Sequence, residues 1–481
     1  MKQSTDPTVI LGAGFTGLFT ALHLCNQRYP RPVVLIDQKE RFVFKPLLYE
    51  FLSGEMNTNQ VWPRYVELLD CSGVAFVQDT VRTINLHQRQ IELASGLRYA
   101  YSNLVLALGS SINYLGIEGA RENSISFRTG EDAMALGQHL RECLQRASQT
   151  TDMEQRRLLL TVAVIGAGPS GVEMAATLAD LLPNWYEKLG GNSQEIRIVI
   201  LNRSKEILKG DVNSHLREIA QKALQQRTVP VEMLLEVSAS AIRPSQVEYK
   251  RHNQLETLPA ATIIWTAGNT VHPLIKDLPI SQEDRDRQER IWVTPTMQLP
   301  NFSEVFAGGD CAALGKDPLP ATAQVAYQQG AAIAHNLQAI AEGKDLKPAH
   351  VALRGTLMKL GLGESAANLA DRFAITGRLG HLIRKGTYLE LLPTPLHNFK
   401  VTAEWLTDEL FHNYTNPASK RKQSARILQW TSGTLAAMFL ASSSLLIWRA
   451  NQPAQFDRVW QPRGLPNLLE RLLPTSKQPQ K

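Results

Sequence analysis

The chain has 481 residues, of which 43% are hydrophobic and 20% are charged. These values are typical of a globular protein with an ample core, and the length predicts two or three domains. The four cysteines, at positions 25, 71, 143 and 311, form neither a CxxC nor a CxxxxC pair, which argues against a thiol redox pair and a zinc site.

Charge is unevenly distributed along the chain. The net charge is +6, and the part from Arg372 to the end holds 15 Lys and Arg against 6 Asp and Glu. A basic last quarter predicts contact with anionic lipid headgroups. Nucleic acid is less favoured, because the basic residues are scattered and no nucleic-acid-binding module is visible. The polar start, MKQSTDP, runs straight into the first predicted strand, so we expect no signal peptide.

A glycine-rich turn follows the first predicted strand in TVILGAGFTG, near the start of the chain. Gly12 permits a tight turn from strand to helix, Gly14 leaves room for a pyrophosphate, and Gly17 lets the helix pack closely on the strand. The helix N-terminus then offers N–H groups and positive dipole to the phosphates. A second predicted strand, VVLI, ends on Asp37, whose carboxylate can bind an adenosine ribose. The alternative is a glycine-rich loop that binds nothing.

The next stretch, residues 41–49, is predicted to be an irregular loop over a cofactor, and it contains Lys45 and Pro46. Predicted strands follow at residues 73–78, 80–85 and 90–93. The apolar segment NLVLALGS then predicts a strand that ends at Gly109, where backbone can approach a ligand closely.

A second copy of the strand, glycine turn and helix occurs in TVAVIGAGPSGVE. Gly166, Gly168 and Gly171 repeat the roles of the first set. Residues 130–158, which precede this copy, predict charged helices with a polar break near 148–152. Two such units predict two nucleotide-binding βαβ domains rather than one motif found by chance.

The strand predicted after the second glycine turn, residues 196–201, ends on Asn202, where the first unit has a carboxylate. Arg203 and Lys205 follow and can meet a 2′-phosphate, which favours NADPH over NADH. The alternative is that both are solvated charges at the end of a strand.

Three later segments predict further parts of a cofactor site. TIIWTAGN predicts a strand that ends at Gly268, and EVFAGGD predicts a buried strand with two glycines before Asp310. A helix predicted to start near Pro320 and to run to about Ala341 would direct N–H groups at an electron-rich group, such as the pyrimidine edge of a reduced flavin.

The chain changes character after Lys344, where no further βαβ unit is visible. A predicted helix at 404–412 and the basic sequence KRK lead to an uncharged run from Ile427 to Trp448, which is long enough to span a bilayer core. Its serines and threonines make insertion marginal, so an inserted anchor, a helix lying in the interface and a partner-facing helix stay open. The tail from Asn451 is rich in Pro and Gln and is predicted to be irregular.

The motifs VILGAGFTG, LALGS, VAVIGAGPSGVE, IIWTAGN, VFAGGDCA and ATAQVAYQQG resemble, in this order, those of flavoproteins with two dinucleotide-binding domains. Within that group the chain is similar to the type II NAD(P)H:quinone oxidoreductases, which are single-subunit and pump no protons. Ala323, Gln324 and Gln328 match that family's AQxAxQ quinone-site motif. The resemblance covers residues 8–410. The insert at 182–194, the missing ribose carboxylate and the tail favour the plant and cyanobacterial branch, whose members reduce prenylated quinones, including a naphthoquinone precursor of phylloquinone.

Together these features predict an α/β fold with two Rossmann-like dinucleotide-binding domains and a C-terminal membrane-associating region. The FAD domain is expected to be interrupted by the NAD(P) domain. The expected segments are 1–125 and 271–350 for FAD, 126–270 for NAD(P)H, 351–415 for the membrane and quinone side, and 416–481 for the basic segment, hydrophobic helix and tail.

The residues alone lead to the same reaction class. Asp37 and Asp310 fit a bound FAD, and the second unit fits a nicotinamide donor. The cysteine spacing disfavours disulfide and sulfide:quinone reductases, and a basic, apolar C-terminal part indicates an acceptor at a membrane. We therefore expect NAD(P)H to reduce FAD, which then reduces a membrane prenylquinone.

Three side chains are candidates for the quinone step. Gln324 and Gln328 lie four apart on one predicted helix face, where their amides can bond a quinone carbonyl; the alternative is a pair of surface glutamines. The resemblance places Glu173 near flavin and nicotinamide, where it would relay a proton to the quinone; the alternative is a carboxylate that stabilises a helix N-terminus. Lys45 would lie above the flavin or serve only the structure. No metal is expected.

Two other classes keep the nucleotide motifs. A membrane-tethered redox sensor and a ferredoxin- or rubredoxin-type reductase would each retain them, but neither explains AQxAxQ or the lipid-directed tail. We expect a membrane-associated enzyme at the cytoplasmic or stromal face of a plasma or thylakoid membrane. A homodimer is a further expectation.

Overall fold

The structure is a computed structural model that describes residues 6–402, except for residues 71, 211, 316–317, 354, 370–372 and 395–400. The described residues belong to one compact unit. The helix predicted at 404–412, the hydrophobic run from Ile427 to Trp448 and the irregular tail lie outside the described residues. Of the helices in the described ranges, none combines the length and apolar character needed to cross a bilayer.

Short strands occur throughout the described part of the chain. In chain order they are β1 (Thr8–Leu11), β2 (Val33–Asp37), β3 (Ala75–Gln78), β4 (Val81–Asn85), β5 (Gln90–Leu93), β6 (Arg98–Ala100), β7 (Asn103–Leu106), β8 (Ser110–Ile112), β9 (Thr161–Ile165), β10 (Arg197–Asn202), β11 (Glu232–Leu235), β12 (Val237–Arg243), β13 (Gln246–Arg251), β14 (Gln254–Pro259), β15 (Thr262–Trp265), β16 (Asn269–Val271), β17 (Ile291–Val293), β18 (Gln298–Leu299), β19 (Phe302–Ala307), β20 (Ala312–Leu314), β21 (Gly355–Gly361), β22 (Glu364–Leu369) and β23 (Phe373–Ile375).

The helices are interspersed among these strands. They are α1 (Phe15–Asn26), α2 (Leu48–Ser53), α3 (Thr58–Val61), α4 (Tyr65–Leu68), α5 (Ala120–Asn123), α6 (Gly130–Gln149), α7 (Met153–Leu159), α8 (Pro169–Glu187), α9 (Ser214–Gln225), α10 (Pro273–Lys276), α11 (Ala323–Glu342) and α12 (Gly377–Glu390). The break between α6 and α7 lies where the polar residues predicted it.

The first sheet joins two distant parts of the chain. Its strand order is β18-β19-β7-β1-β2-β3, with β1 parallel to both β2 and β7. Because β19 pairs in parallel with β7, residues after 297 complete a sheet that begins at Thr8. Every residue of β1 and β7 is buried, as is typical of a parallel sheet covered on both faces.

The second sheet is built from the segment between those two parts. Its order is β11-β10-β9-β15, and all its pairs are parallel. Helix α8 supplies much of the adjoining core, where Met174 and Leu178 are fully buried. An antiparallel meander of β12, β13 and β14 adjoins it. The two sheets, both built mainly of parallel strands, confirm the predicted α/β fold with two Rossmann-like domains.

A pair of short strands links the two sheets. Strand β8 follows β7 of the first sheet, β16 follows β15 of the second, and the two pair antiparallel. We call β8 and β16 the hinge pair, since the chain passes through them on its way between the sheets.

Two parts of the fold differ from the sequence prediction. Residues 41–49 are not wholly irregular: a 3-10 turn spans Lys45–Leu47 and α2 starts at Leu48, because Leu47 and Leu48 are each only 1% exposed and the apolar packing orders them. After Lys344, where the sequence analysis expected no further βαβ unit and named no strand, β21, β22 and β23 form an antiparallel sheet that contacts α8, while α12 contacts β22.

Candidate active site

We call each glycine turn, together with the strand end before it and the helix start after it, a dinucleotide cradle. The first glycine turn has the geometry that such a cradle requires. Gly12 has a φ of +90°, and a Cβ on it would overlap the carbonyl of Ala107 in the strand end beside it. A Cβ on Gly17 would overlap the carbonyl oxygen of Gly12, so the helix can approach the strand only without side chains there. A Cβ on Gly14 would meet nothing within 4 Å, which leaves open space next to the start of α1.

The second turn repeats this geometry. Gly166 has a φ of +107°, and a Cβ on Gly171 would overlap the Gly166 carbonyl oxygen. Gly168 precedes α8 with extended backbone, φ −72° and ψ −178°, as Gly14 precedes α1 with φ −67° and ψ −165°. Neither helix start receives a hydrogen bond from a capping side chain. Both N-termini can therefore offer N–H groups to phosphate oxygens.

The residue that ends the second strand distinguishes the two cradles. The backbone bonds Gly12 N to Ile36 O and Gly166 N to Leu201 O put Asp37 and Asn202 at equivalent positions. Oδ2 of Asp37 accepts from Ala13 N at 2.7 Å, and its Oδ1 accepts from Lys39 N at 2.8 Å. Burial raises the pKa of Asp37, while these hydrogen bonds oppose the shift.

Asn202 makes the matching contact in the second cradle with a neutral amide. Its Oδ1 accepts from Ala167 N at 3.3 Å, and its Nδ2 donates to the carbonyls of Ser204 at 3.1 Å and Glu206 at 3.0 Å. The amide thereby shapes the loop after β10, where Arg203 and Lys205 are both exposed. The second cradle thus carries two cations and no carboxylate at the position where the first carries Asp37.

Asp310 lies at the junction of the first sheet with the hinge pair. Its Oδ2 accepts from Ser110 Oγ at 2.7 Å. Lys45, which begins the turn before α2, is near enough to Asp310 for an electrostatic attraction. Gly109 precedes Ser110 with a φ of +69°, and a Cβ there would meet nothing within 4 Å. The predicted residues Lys45, Gly109 and Asp310 therefore share one region.

Gly268 has a packing role. Its φ is +74°, and a Cβ on it would lie 2.5 Å from the carbonyl oxygen of Asn113. The same region is tied by a bond from Asn113 N to Gly268 O at 3.1 Å. The glycine is therefore required where the two chain segments of the hinge pair approach one another.

Helix α11 packs against α1 beside the first cradle. Thr16 Oγ1 donates to Ala326 O at 3.1 Å, and a Cβ on Gly330 would lie 2.6 Å from Thr16 O. Gln329, which the sequence analysis did not single out, is 2% exposed and accepts from Gly309 N at 2.7 Å. The clue to Gln329 in the sequence was its position between Gln328 and the packing glycine Gly330. Ala323 begins this helix, whose N-terminus also lacks a side-chain cap.

Gln324 and Gln328 bind backbone in this structure. Gln324 Nε2 donates to Gly355 O at 3.1 Å. Gln328 pairs with both polar groups of Ala352, donating to its carbonyl at 3.0 Å and accepting from its N–H at 3.0 Å. Gln328 Nε2 also donates to Gln324 O at 2.9 Å. The two amides thus fasten Ala352 and Gly355 along the start of α11.

Glu173 lies next to a buried cluster of charges that the sequence did not indicate. Its Oε1 accepts from Lys359 N at 2.8 Å and lies 4.0 Å from Arg384 Nη2. Burial raises the pKa of Glu173 to about 7, although the Arg384 cation opposes the shift. The carboxyl thus changes its protonation near neutral pH.

We call the fully buried residues Glu50, Lys359 and Arg384 the charge cluster. Lys359 Nζ lies 3.2 Å from Glu50 Oε1, and Arg384 Nη1 donates to the same oxygen. Burial by itself would raise the pKa of Glu50, but the two cations hold it well below its usual range. The cluster joins α2, β21 and α12, so it fastens the C-terminal sheet and helix beside Glu173.

The described cysteines are unsuited to thiol redox chemistry. Burial raises the pKa of all three, Cys25, Cys143 and Cys311, and brings that of Cys311 to about 12. A reactive cysteine needs a lowered pKa, because the thiolate is the nucleophile. In the ranges that the structure describes, no cluster of His, Cys, Asp and Glu could hold a metal ion.

The geometry fits FAD in the first cradle. The open space at Gly14 and the uncapped start of α1 fit the pyrophosphate, and the Asp37 carboxylate fits a ribose. The uncapped start of α11 fits the electron-rich edge of a flavin. The second cradle offers the same phosphate site with a different ribose position.

The comparisons with known proteins agree with this geometry. A family model for pyridine nucleotide-disulphide oxidoreductases matches residues 6–330. The demethylphylloquinone reductase NdbB of Synechocystis is 34% identical to this chain, over 85% of this chain and 98% of that protein. An alternative NAD(P)H-ubiquinone oxidoreductase C1, chloroplastic/mitochondrial, from Arabidopsis thaliana is 33% identical, over 82% of this chain and 79% of its own length.

A solved structure shares the fold. NDH2 from Plasmodium falciparum, in complex with NADH, superposes with a TM-score of 0.72 over 85% of this chain and 99% of that chain, at 17% identity. The chain therefore belongs to the pyridine nucleotide-disulphide oxidoreductase family and, within it, to the type II NAD(P)H:quinone oxidoreductases.

Proposed function

We propose that this enzyme passes two electrons from NADPH through FAD to a prenylated naphthoquinone of the demethylphylloquinone class at a membrane surface. The observation that carries the proposal is the pairing of two nucleotide cradles that differ at one position, Asp37 in the first and Asn202 in the second. In the overall reaction NADPH, one proton and the quinone give NADP+ and the quinol. We also propose that residues 1–125 and 271–350 bind FAD, that residues 126–270 bind NADPH, and that the chain from residue 351 onward faces the membrane and the quinone.

The residues of the chain bind and orient the reactants. Bound FAD supplies the chemistry that accepts a hydride from NADPH and delivers two electrons. Gly14 and the start of α1 would hold its pyrophosphate, Asp37 its ribose, and the Asp310 region its central part. Holding donor and acceptor in contact is the main contribution of the protein to the rate.

Glu173 is the proposed proton carrier for the quinol. A carboxyl whose pKa is about 7 can release and regain a proton near neutral pH, which a general acid requires. Arg384 and Lys359 hold it in place from the side of the C-terminal helix and sheet.

Gln324 and Gln328 are proposed to form the wall of the quinone site. Because their amides already hold Ala352 and Gly355, a direct bond to a quinone carbonyl requires one of those bonds to open. Gln328→Ala should raise the quinone KM more than it lowers kcat. The matched control is Gln338→Ala, further along the same helix, where the amide donates to Glu342 at 2.6 Å. Equal KM values in both variants would remove the proposed role.

The donor preference depends on the loop after β10. Arg203→Ala combined with Lys205→Ala should raise the KM for NADPH about tenfold or more and leave that for NADH within about twofold, because only the 2′-phosphate meets these cations. Asn202→Asp should favour NADH, since it restores a carboxylate at the ribose position. Lys188→Ala, on an exposed lysine at the far end of α8, is the control. Equal loss with both donors would contradict the proposal.

Steady-state rates across short-chain benzo- and naphthoquinones test the acceptor class. The proposal predicts the highest kcat/KM for a naphthoquinone that lacks a ring methyl group. Turnover only with an iron–sulfur protein would instead support a ferredoxin-type reductase.

Membrane attachment is proposed from the basic excess after Arg372. The purified protein should float with vesicles that contain anionic lipid and release at high salt. No binding to anionic vesicles would contradict the proposal. The cytoplasmic or stromal face and a homodimer are further proposals, which protease protection in sealed vesicles and light scattering would test.

A further inference from the structure

The side chain of Arg128 reaches both strands of the hinge pair. Its Nη1 donates to Asn269 Oδ1 of β16 at 3.0 Å. Its Nη2 donates to Ser110 of β8 twice, to the carbonyl at 2.9 Å and to Oγ at 2.8 Å. One guanidinium therefore joins the outgoing and the returning strand.

The bonds continue from the hinge pair to the first sheet. Ser110 Oγ, which accepts from Arg128, donates to Asp310 Oδ2 at 2.7 Å. The hydroxyl is thus oriented by its two charged partners, with the cation on one side and the carboxylate on the other. This three-residue relay connects the segment that enters the second sheet with the residue proposed to hold the central part of FAD.

The backbone of Arg128 is anchored to the start of α6, which packs against α8 of the second half and also against α2. Its N–H donates to Asp132 Oδ2 at 2.8 Å, in the capping box that starts α6. Thr129 and Asp132 close that box, so the backbone of Arg128 moves with α6. The side chain is half-buried, and its fork of N–H donors fits three acceptors that a lysine ammonium could not reach in one plane.

We propose that Arg128 is a positioning residue that fixes the nicotinamide-binding half against the flavin-binding half, and that it thereby sets the rate of hydride transfer. The inference rests on the proposed use of FAD and NAD(P)H but not on the identity of the quinone. A misplacement of about 1 Å can lower a rate about 100-fold. Ferricyanide takes only electrons from the reduced flavin, so its reaction needs neither the nicotinamide donor nor the proton carrier Glu173, and Arg128 should affect only the reductive step of this assay.

The test compares Arg128→Ala, Arg128→Lys and Arg121→Ala in the FAD-loaded protein. Arg121 is an exposed arginine of α5 whose guanidinium lies over the Tyr114 ring, 5.5 Å from the ring centre, rather than on the hinge pair. Hydrogen exchange at residues 110–113 and 268–271 measures the hinge directly. Anaerobic single-turnover reduction by NADPH, followed by reoxidation with ferricyanide, measures the two half-reactions without any quinone.

Arg128→Ala should speed hinge exchange about tenfold or more and slow flavin reduction at saturating NADPH between about tenfold and 100-fold, with reoxidation within about twofold of the wild type. Added guanidinium should restore part of the reduction rate, and added methylammonium should not. The rates of hinge exchange and of flavin reduction in Arg128→Lys should lie between those of the wild type and those of Arg128→Ala. Both rates in Arg121→Ala should match the wild type.

Three results would overturn the inference: unchanged exchange and reduction in Arg128→Ala, slowed reduction with unchanged exchange, or equal slowing of both half-reactions. Failure of the proposed acceptor class would leave these measurements unaffected, because ferricyanide replaces the quinone. Failure of the donor proposal would show as an unreduced flavin in the wild type itself.

Discussion

Replacing Glu173 by Gln removes the titration of a single buried carboxyl, and its effect on stability can be worked out from the structure. The pKa of Glu173 is raised from about 4.5 to about 7, chiefly by burial. The folded protein therefore binds a proton that the unfolded chain has released throughout the range between these values. Its contribution to stability is present at low pH and is lost as the pH rises through 7.

Between pH 5 and pH 8 this loss amounts to about 2.5 kcal/mol. Unfolding has an entropy of about 2.1 cal/mol/K per residue. For the compact unit of residues 1–402, dividing the lost free energy by the total unfolding entropy gives a shift in Tm of about 3 °C. The midpoint of the wild type should thus fall by about 3 °C more than that of Glu173→Gln over this pH range, measured by scanning the holoenzyme.

Glu187→Gln is the matched control, because this exposed carboxyl ends the same helix α8. Its midpoint should follow the wild type at every pH. Parallel pH curves for the wild type and Glu173→Gln would refute the assignment of a raised pKa to this residue, and with it the proposed proton carrier.

Other changes probe the remaining contacts. Arg384→Met leaves Glu50 paired with one cation fewer, and the free energy of unfolding should fall by about 3–5 kcal/mol in denaturant titrations. The loss should be smaller when Glu50→Gln is added. An equal or greater loss in the double variant would contradict the pairing. Gly171→Ala should yield a yellow protein that NADPH no longer reduces, whereas Gly17→Ala should yield a colourless one, because each Cβ overlaps a carbonyl of its own cradle; identical cofactor content in both would refute the division of cradles. Gln329→Ala removes the acceptor of Gly309 N, and FAD should dissociate more readily in equilibrium dialysis. Unchanged retention of FAD would show that the loop around Gly309 keeps its conformation without this hydrogen bond.

The cradles could be predicted from sequence because their requirements are local. Gly12, Gly17 and Asp37 lie within one βαβ unit, and the spacing of the glycines alone implies the close approach that the structure shows. The neutral residue at the second ribose position was visible for the same reason, since Asn202 ends a strand that pairs with β9 as β2 pairs with β1.

The rest of the site depends on contacts between residues far apart in sequence. Lys359 and Arg384 meet Glu50 across 309 and 334 positions, so no spacing rule could have paired them. The partners of Arg128 lie 18 and 141 positions away. Only the folded chain brings these groups together, and it also shows that the amides of the AQxAxQ motif bind backbone.

The most direct test of the central claim follows the flavin absorbance of the purified protein under anaerobic conditions. We expect a yellow protein that NADPH bleaches, and whose colour a soluble naphthoquinone restores with no other protein present. A colourless protein, a flavin that no nicotinamide donor bleaches, or recovery of colour only on adding an iron–sulfur protein would contradict it.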